Sequence, residues 1–248
     1  MTAATASAPV PLATGPHYEE LLIRADRSAV IASLARGMAH DLRGPLQTLT
    51  LIVDPHADLL AGPEGLRVKS AVAGAVQHLS DTIGRFSQVY APVETEPSPI
   101  IVEDLLNYVV DLQHYQRGLA PAEIELRLPG GLPPIRALET PLRHILLSLI
   151  LNAKESFEDR TDGMIALVAS LQNGMVRLSV EDNGPGIAEG ERARVFEAFH
   201  TTRPGHLGVG LTVARWLAER QGGSLTLEQS ERGGVKAIVE LSSWRRMI

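Results

Sequence analysis

The chain contains no cysteine among its 248 residues. That excludes disulfides and thiolate-bound metal, and it is compatible with a reducing compartment. Positive charge is also in short supply, with 23 Lys and Arg against 29 Asp and Glu for a formal net charge of −6. The broad basic footprint needed to grip a nucleic-acid backbone is therefore missing. No run approaches the ~20 apolar residues of a membrane-spanning helix. Residues 1–16 are small and polar, with neither a basic start nor a long apolar stretch, and read as a disordered leader. The sequence thus leads one to expect no membrane sensor and no folded sensor domain ahead of the first helix. It shows no internal repeat.

What is present is an ordinary globular composition, 44% hydrophobic and 21% charged, with enough mass for a real core. From 17 to about 60 the pattern is helical, with Ile23, Val30, Leu34, Met38, Leu42, Leu49 and Val53 at three-, four- and seven-residue steps. AGPEG at 61–65 breaks it, and Val68, Val72, Val76, Leu79, Ile83 and Phe86 start a second run that ends before Ala91-Pro92. Two long helices and a short turn predict an antiparallel hairpin over 17–91. A lone hairpin has little to bury its stripe against. Pairing with a second copy as a four-helix bundle is the natural solution, the alternative being packing on the C-terminal domain.

Residues 92–98, rich in proline and acid, read as a linker to a second domain at 99–248. Ser98 and Pro99 predict the start of a helix running to about Gln116, and Thr140-Pro141 the start of another ending near Glu158. Strands are expected at 123–128, around Ile135, at 164–172, 175–181, 224–229 and 235–241. Gln172-Asn173-Gly174 reads as a turn, and a further helix is expected at 210–220. The fold class is α+β, a helical hairpin followed by a two-layer α/β sandwich.

His40 stands out among eight histidines. It lies two residues from Met38, a rotation of roughly 200° on a helix, and so should project away from the apolar stripe. Asp41 can accept a proton from one imidazole nitrogen and leave the other free to attack. Pro45 removes the amide that would bond the Asp41 carbonyl and should bend the helix just beyond the histidine. A single surface histidine is ordinarily a solvated side chain, and His17, His56, His78, His114 and His144 are read as structural or exposed.

Further along, DNGPG at 182–186 follows a predicted strand. A carboxylate there, Asp182, can accept a hydrogen bond from an adenine amino group, while Gly184 and Gly186 let backbone approach a ring. Asp-Gly turns are common, so this motif is weak alone. Asn152, in LILNAKES, sits mid-helix where asparagine is a poor helix former, and its amide oxygen could ligate Mg2+. Phe196 and Phe199 suit anchors on either side of a mobile lid. Gly205, Gly208 and Gly210 form a flexible approach to a helix N-terminus, where amides and Leu211 would meet phosphates. Thr201, Thr202 and Arg203 could add contacts. The spacing matches neither the P-loop nor the dinucleotide fingerprint.

HDLRGPL resembles the phosphoacceptor box of the HisKA family, and VFEAFHTTRPGHLGVGL is similar to the lid boxes of histidine kinases. Together with DNGPG and Asn152 the series resembles the catalytic half of a sensor histidine kinase, whose ATPase domain is shared with gyrase and MutL. The resemblance implies His40 as phosphoacceptor and Asp41 as its general base. It also implies ATP and Mg2+ at the second domain, a homodimer, a cytoplasmic location and a response-regulator receiver as partner. A separate sensor or scaffold protein could supply the input.

Three departures narrow this. Gly44 stands where the family has threonine or asparagine, a side chain that helps dephosphorylate the regulator, which puts phosphatase activity in question. Ser148 replaces a frequent asparagine four residues before Asn152. His206 and Leu207 replace Gly-Thr in the lid. Two other readings stay open: a histidine phosphotransfer protein with a vestigial ATPase domain, and another ATPase or protein kinase of the same superfamily.

Overall fold

A computed structural model describes residues 15–53, 67–68, 70–77, 79, 83, 94–113, 122–157, 160–203 and 206–244. Residues 36, 37, 40, 48 and 50–53 are described for their backbone only. The first helix, α1, spans Pro16–Val53 and runs through Pro45. The described residues among 67–83 are helical as well. The intervening turn at 61–65 lies outside the described residues, as do the leader at 1–14 and Phe86.

The second domain is built on a five-stranded sheet in the order β2-β4-β5-β7-β6. Its strands are β2 (Ala122–Arg127), β4 (Gly163–Gln172), β5 (Met175–Asp182), β6 (Ser224–Gln229) and β7 (Val235–Ser242). β2 and β4 are parallel and every other pair is antiparallel. The hairpin between β4 and β5 turns on Asn173 and Gly174, both at positive φ (52° and 79°), which matches the right-handed twist of the flanking strands. Among the described residues three α-helices accompany the sheet: α2 (Val102–Leu112), α3 (Glu139–Ser156) and α4 (Gly210–Glu219). α3 carries buried residues on most of its circumference, as a central helix must, and packs against α2, α4 and β5.

Two expected helix starts are corrected. Ser98 and Pro99 do not cap a helix. They form β1 (Ser98–Ile100), paired antiparallel with β3 (Ile135–Ala137), and α2 begins after Ile101. Proline is tolerated in such a two-stranded edge pair. Thr140 does not cap α3 either, since Leu138 holds that position. Its hydroxyl donates to Glu94 Oε1 at 2.9 Å and its amide donates to Glu94 Oε2 at 3.2 Å, which ties residue 94 to the second domain.

The upstream half of α1 is the larger surprise. Leu22, Val30, Leu34 and Met38 are buried in the same apolar cluster as the second domain, and α1 packs on α3 and α4. In this arrangement that half of the stripe is covered by the second domain.

Candidate nucleotide-binding site

A cavity of about 430 Å³ opens between α3, the end of β5, the 187–208 segment and the start of α4. Pockets of this size suit a nucleotide-sized ligand. Asp182 is the last residue of β5, so strand alternation and the sheet's end carry its carboxylate into the wall. Its Oδ1 accepts from the amides of Gly184 at 2.8 Å and Val235 at 3.1 Å. Burial pushes the Asp182 carboxyl above its ordinary value, and these two amides and the Arg203 charge oppose the rise. Gly234 holds this corner open, because a Cβ there would fall 2.0 Å from Asp182 Oδ1.

Asn152, one turn from the end of α3, faces the same cavity. Its side-chain Nδ2 is buried without a hydrogen-bond partner. A buried amide in that condition fits a site completed by a ligand. No group of three or more His, Asp or Glu side chains placed to hold a metal ion exists among the described residues. A single amide oxygen is nonetheless suited to Mg2+, which keeps several waters and takes its remaining ligands from phosphates.

The cavity also gathers Gly186, Thr201, Thr202, Arg203, Gly208, Gly210 and Leu211. Gly208, at φ +67°, packs so close that a Cβ would stand 2.6 Å from the His200 carbonyl oxygen. Gly184 lies beside the cavity, and Gly205 lies outside the described residues. One expected phosphate contact already has protein partners. Arg203 Nη1 donates to the Asn152 carbonyl at 3.3 Å and lies 3.5 Å from Glu155 Oε2, while its amide donates to Thr201 Oγ1 at 3.1 Å. His206 Nδ1 lies 3.3 Å from the same Glu155 oxygen. Burial raises the Glu155 carboxyl, with the charges of His206 and Arg203 opposing and that of Asp26 adding to the rise. The lid is thus clasped to α3. Phe196 packs against the core as expected, but Phe199 is 41% exposed at φ +66° and meets the Tyr18 ring, centroids 6.4 Å apart.

Residues 137–244 match the family described as histidine kinase-, DNA gyrase B- and HSP90-like ATPases. The chain is 28% identical over 214 residues to the sensor histidine kinase ZraS of Escherichia coli K12, covering 85% of this chain and 45% of that one. It is 26% identical over 216 residues to sporulation kinase E of Bacillus subtilis, covering 87% and 29%. The catalytic domain of histidine kinase ThkA matches with a TM-score of 0.53 at 25% identity, over 60% of this chain and 99% of that one. Full-length ShkA, solved in complex with AMPPNP, matches at TM-score 0.53 and 27% identity, over 95% of this chain and 48% of that one. Over most of its length the chain is thus similar to the cores of sensor histidine kinases. It spans less than half the length of those two curated relatives.

His40 and Asp41 lie on α1, away from the cavity, and the side chain of His40 is outside the described residues. α1 reaches the cavity instead through Ala25, Asp26 and Ala29. Those three were not anticipated. Asp26 is buried, with Oδ2 2.9 Å from His144 Nε2 and accepting from Ser148 Oγ at 3.0 Å. Two signals for it exist in the sequence. Asp26 interrupts the apolar stripe between Ile23 and Val30, and His144, Ser148 and Asn152 form a polar line at four-residue spacing in the otherwise apolar stretch 144–153.

Proposed function

We propose that the chain is a homodimeric, cytoplasmic protein-histidine kinase that transfers the γ-phosphoryl of Mg-ATP to His40 and then to an aspartate of a separate response regulator. One observation carries the reading. A single cavity collects Asn152, Asp182, Gly186, Thr201, Thr202, Gly208 and Gly210 from separated stretches of chain, at the N-terminus of α4. That end offers free amides and a positive dipole to phosphate. No helix among the described residues is long and apolar enough to cross a membrane.

In this reading Asp182 holds the adenine amino group, with Gly184, Gly186 and Gly234 keeping side chains out of the ring's path. Asn152 is the protein ligand for Mg2+, which supplies charge neutralisation across the phosphates. The amides at the start of α4 and the Thr201-Thr202 hydroxyls steady the phosphate tail. Asp41 takes the proton from one imidazole nitrogen of His40, and the other nitrogen bonds to the γ-phosphorus as the bond to the β-bridging oxygen breaks and ADP leaves. The receiver aspartate later takes the phosphoryl group and frees His40. Gly44 offers no side chain to position water, so hydrolysis of the phosphorylated receiver is not assigned to this chain.

His40→Gln is expected to abolish labelling by γ-labelled ATP while leaving the melting temperature and nucleotide binding intact. The wild-type label should be lost in acid, as a phosphoramidate is. Label that persists in the variant, or survives acid, overturns the assignment.

A further inference from the structure

Helix α1 places one carboxylate at the phosphate end of the cavity. Asp26 is 7% exposed, and its Oδ2 is fixed by His144 and Ser148, both on α3. Its other oxygen, Oδ1, lies 3.5 Å from where a Cβ on Gly210 would stand. Nδ2 and Oδ1 of Asn152 lie 3.5 and 3.6 Å from that same point. Gly210 is the first residue of the ten-residue helix α4. The carboxylate therefore stands at the positive end of the helix, beside the buried, unpartnered Nδ2 of Asn152. Ala25 and Ala29 flank it in the cavity wall, small enough to let α1 come close.

Two more contacts hold α1 in place. Glu19 Oε2 accepts from Arg220 Nη2 at 2.6 Å, just past the other end of α4, and Tyr18 meets Phe199 in the lid segment. Helix geometry gives the consequence. His40 lies fourteen residues beyond Asp26, about 21 Å along the axis of α1. Phosphoryl transfer needs reacting atoms within roughly 3–3.5 Å. The docked arrangement thus points the phosphate end of the cavity at Asp26 and leaves the same chain's His40 far from it.

We propose that Asp26 is an internal anion that occupies the phosphate seat of the nucleotide site, so that docking of α1 and loading of nucleotide oppose each other. The docked chain is autoinhibited, and release of α1 both clears the seat and frees the catalytic domain to reach His40. This rests on the nucleotide reading above. A carboxylate is a poor neighbour for a triphosphate in a partly buried site, where like charges are weakly screened. Coupling of this kind is reciprocal: whatever factor docking takes from nucleotide affinity, nucleotide takes from docking.

The test is calorimetric titration of wild type and Asp26→Asn with ATP, with and without Mg2+, joined to amide hydrogen exchange. Asp26→Asn is expected to bind Mg-ATP roughly tenfold tighter, within the 5–150-fold range common for such coupling. In the wild type, Mg-ATP should speed exchange across residues 19–30. Unchanged affinity would make Asp26 a structural anchor and overturn the proposal. Weaker binding confined to the Mg2+ arm would make it a cation ligand and overturn it equally. If the variant folds poorly, the wild-type exchange decides alone, and slowed or unaltered exchange at 19–30 counts against the proposal. Failure of both proteins to bind ATP overturns the nucleotide reading itself, and this inference with it.

Discussion

Asp182 is asked to be a charged acceptor in a place that disfavours charge. Burial raises its carboxyl above the ordinary 3.8, and only two backbone amides and the distant Arg203 resist. The sign follows from linkage. A carboxyl raised in the folded state contributes stability that is present below 3.8 and lost as pH rises through the folded value. Wherever the group is ionised it is therefore a cost to the fold, which the proposed adenine contact would offset on binding. Asp182→Asn retains an oxygen for the Gly184 and Val235 amides. Its urea midpoint should be equal to or higher than that of wild type at pH 7, with the difference vanishing below pH 3.8. ATP binding should be lost, because the adenine amino group would face an amide whose oxygen is already engaged. A variant that binds ATP normally would remove Asp182 from the adenine end.

At the scale of elements, α1 places two of the poorest helix formers, Gly44 and Pro45, side by side within an unbroken helix four and five residues after His40. A Cβ on Gly44 would meet nothing within 4 Å. Gly44→Ala should therefore raise stability by about 0.5–1 kcal/mol through the helix alone, read as a higher urea midpoint. A lower midpoint would mean that the local helix is not what limits the position. Gly223 is the contrasting case. A Cβ there would lie 2.2 Å from the Glu240 carbonyl oxygen, so the glycine is required by the close passage of α4 against β7. Elements of this kind were legible where the signal was local: the 172–174 turn, the strand leading into Asp182, the helix from Gly210. Ser98 and Thr140 misled because a capping residue and a neighbouring proline describe only the chain's own preference. Strand pairing with β3 and a carboxylate at Glu94, both distant in sequence, decided those two positions. His144, read as structural or exposed, is indeed buried, but what it bonds was not legible. Its partner Asp26 lies 118 residues away, beyond the reach of any local pattern.

For the molecule as a whole, the question is whether the catalytic domain works where it is docked. Sequence motifs proposed both ends of a reaction, His40 and the Asp182 region, but no motif states how far apart they rest. The fold supplies that through one continuous helix: the cavity wall begins at Ala25 and His40, the proposed phosphoacceptor, sits fifteen residues on. On the proposed reading, transfer to His40 of the same chain requires the cavity to separate from α1. The absence of cysteine makes a clean test possible, since any thiol introduced is unique. Glu19 and Arg220 form a solvent-accessible ion pair that bridges α1 and the end of α4 and takes no part in the cavity. The double variant Glu19→Cys/Arg220→Cys, left unbridged, should label His40 at least as well as wild type, because a surface ion pair contributes at most about 1 kcal/mol and its loss favours release. Joined by a bismaleimide, the same protein should bind ATP more weakly and leave His40 unlabelled, since the domain can no longer travel. Full labelling of the bridged protein would show that the docked arrangement is already competent, with phosphate reaching His40 from a second copy of the chain.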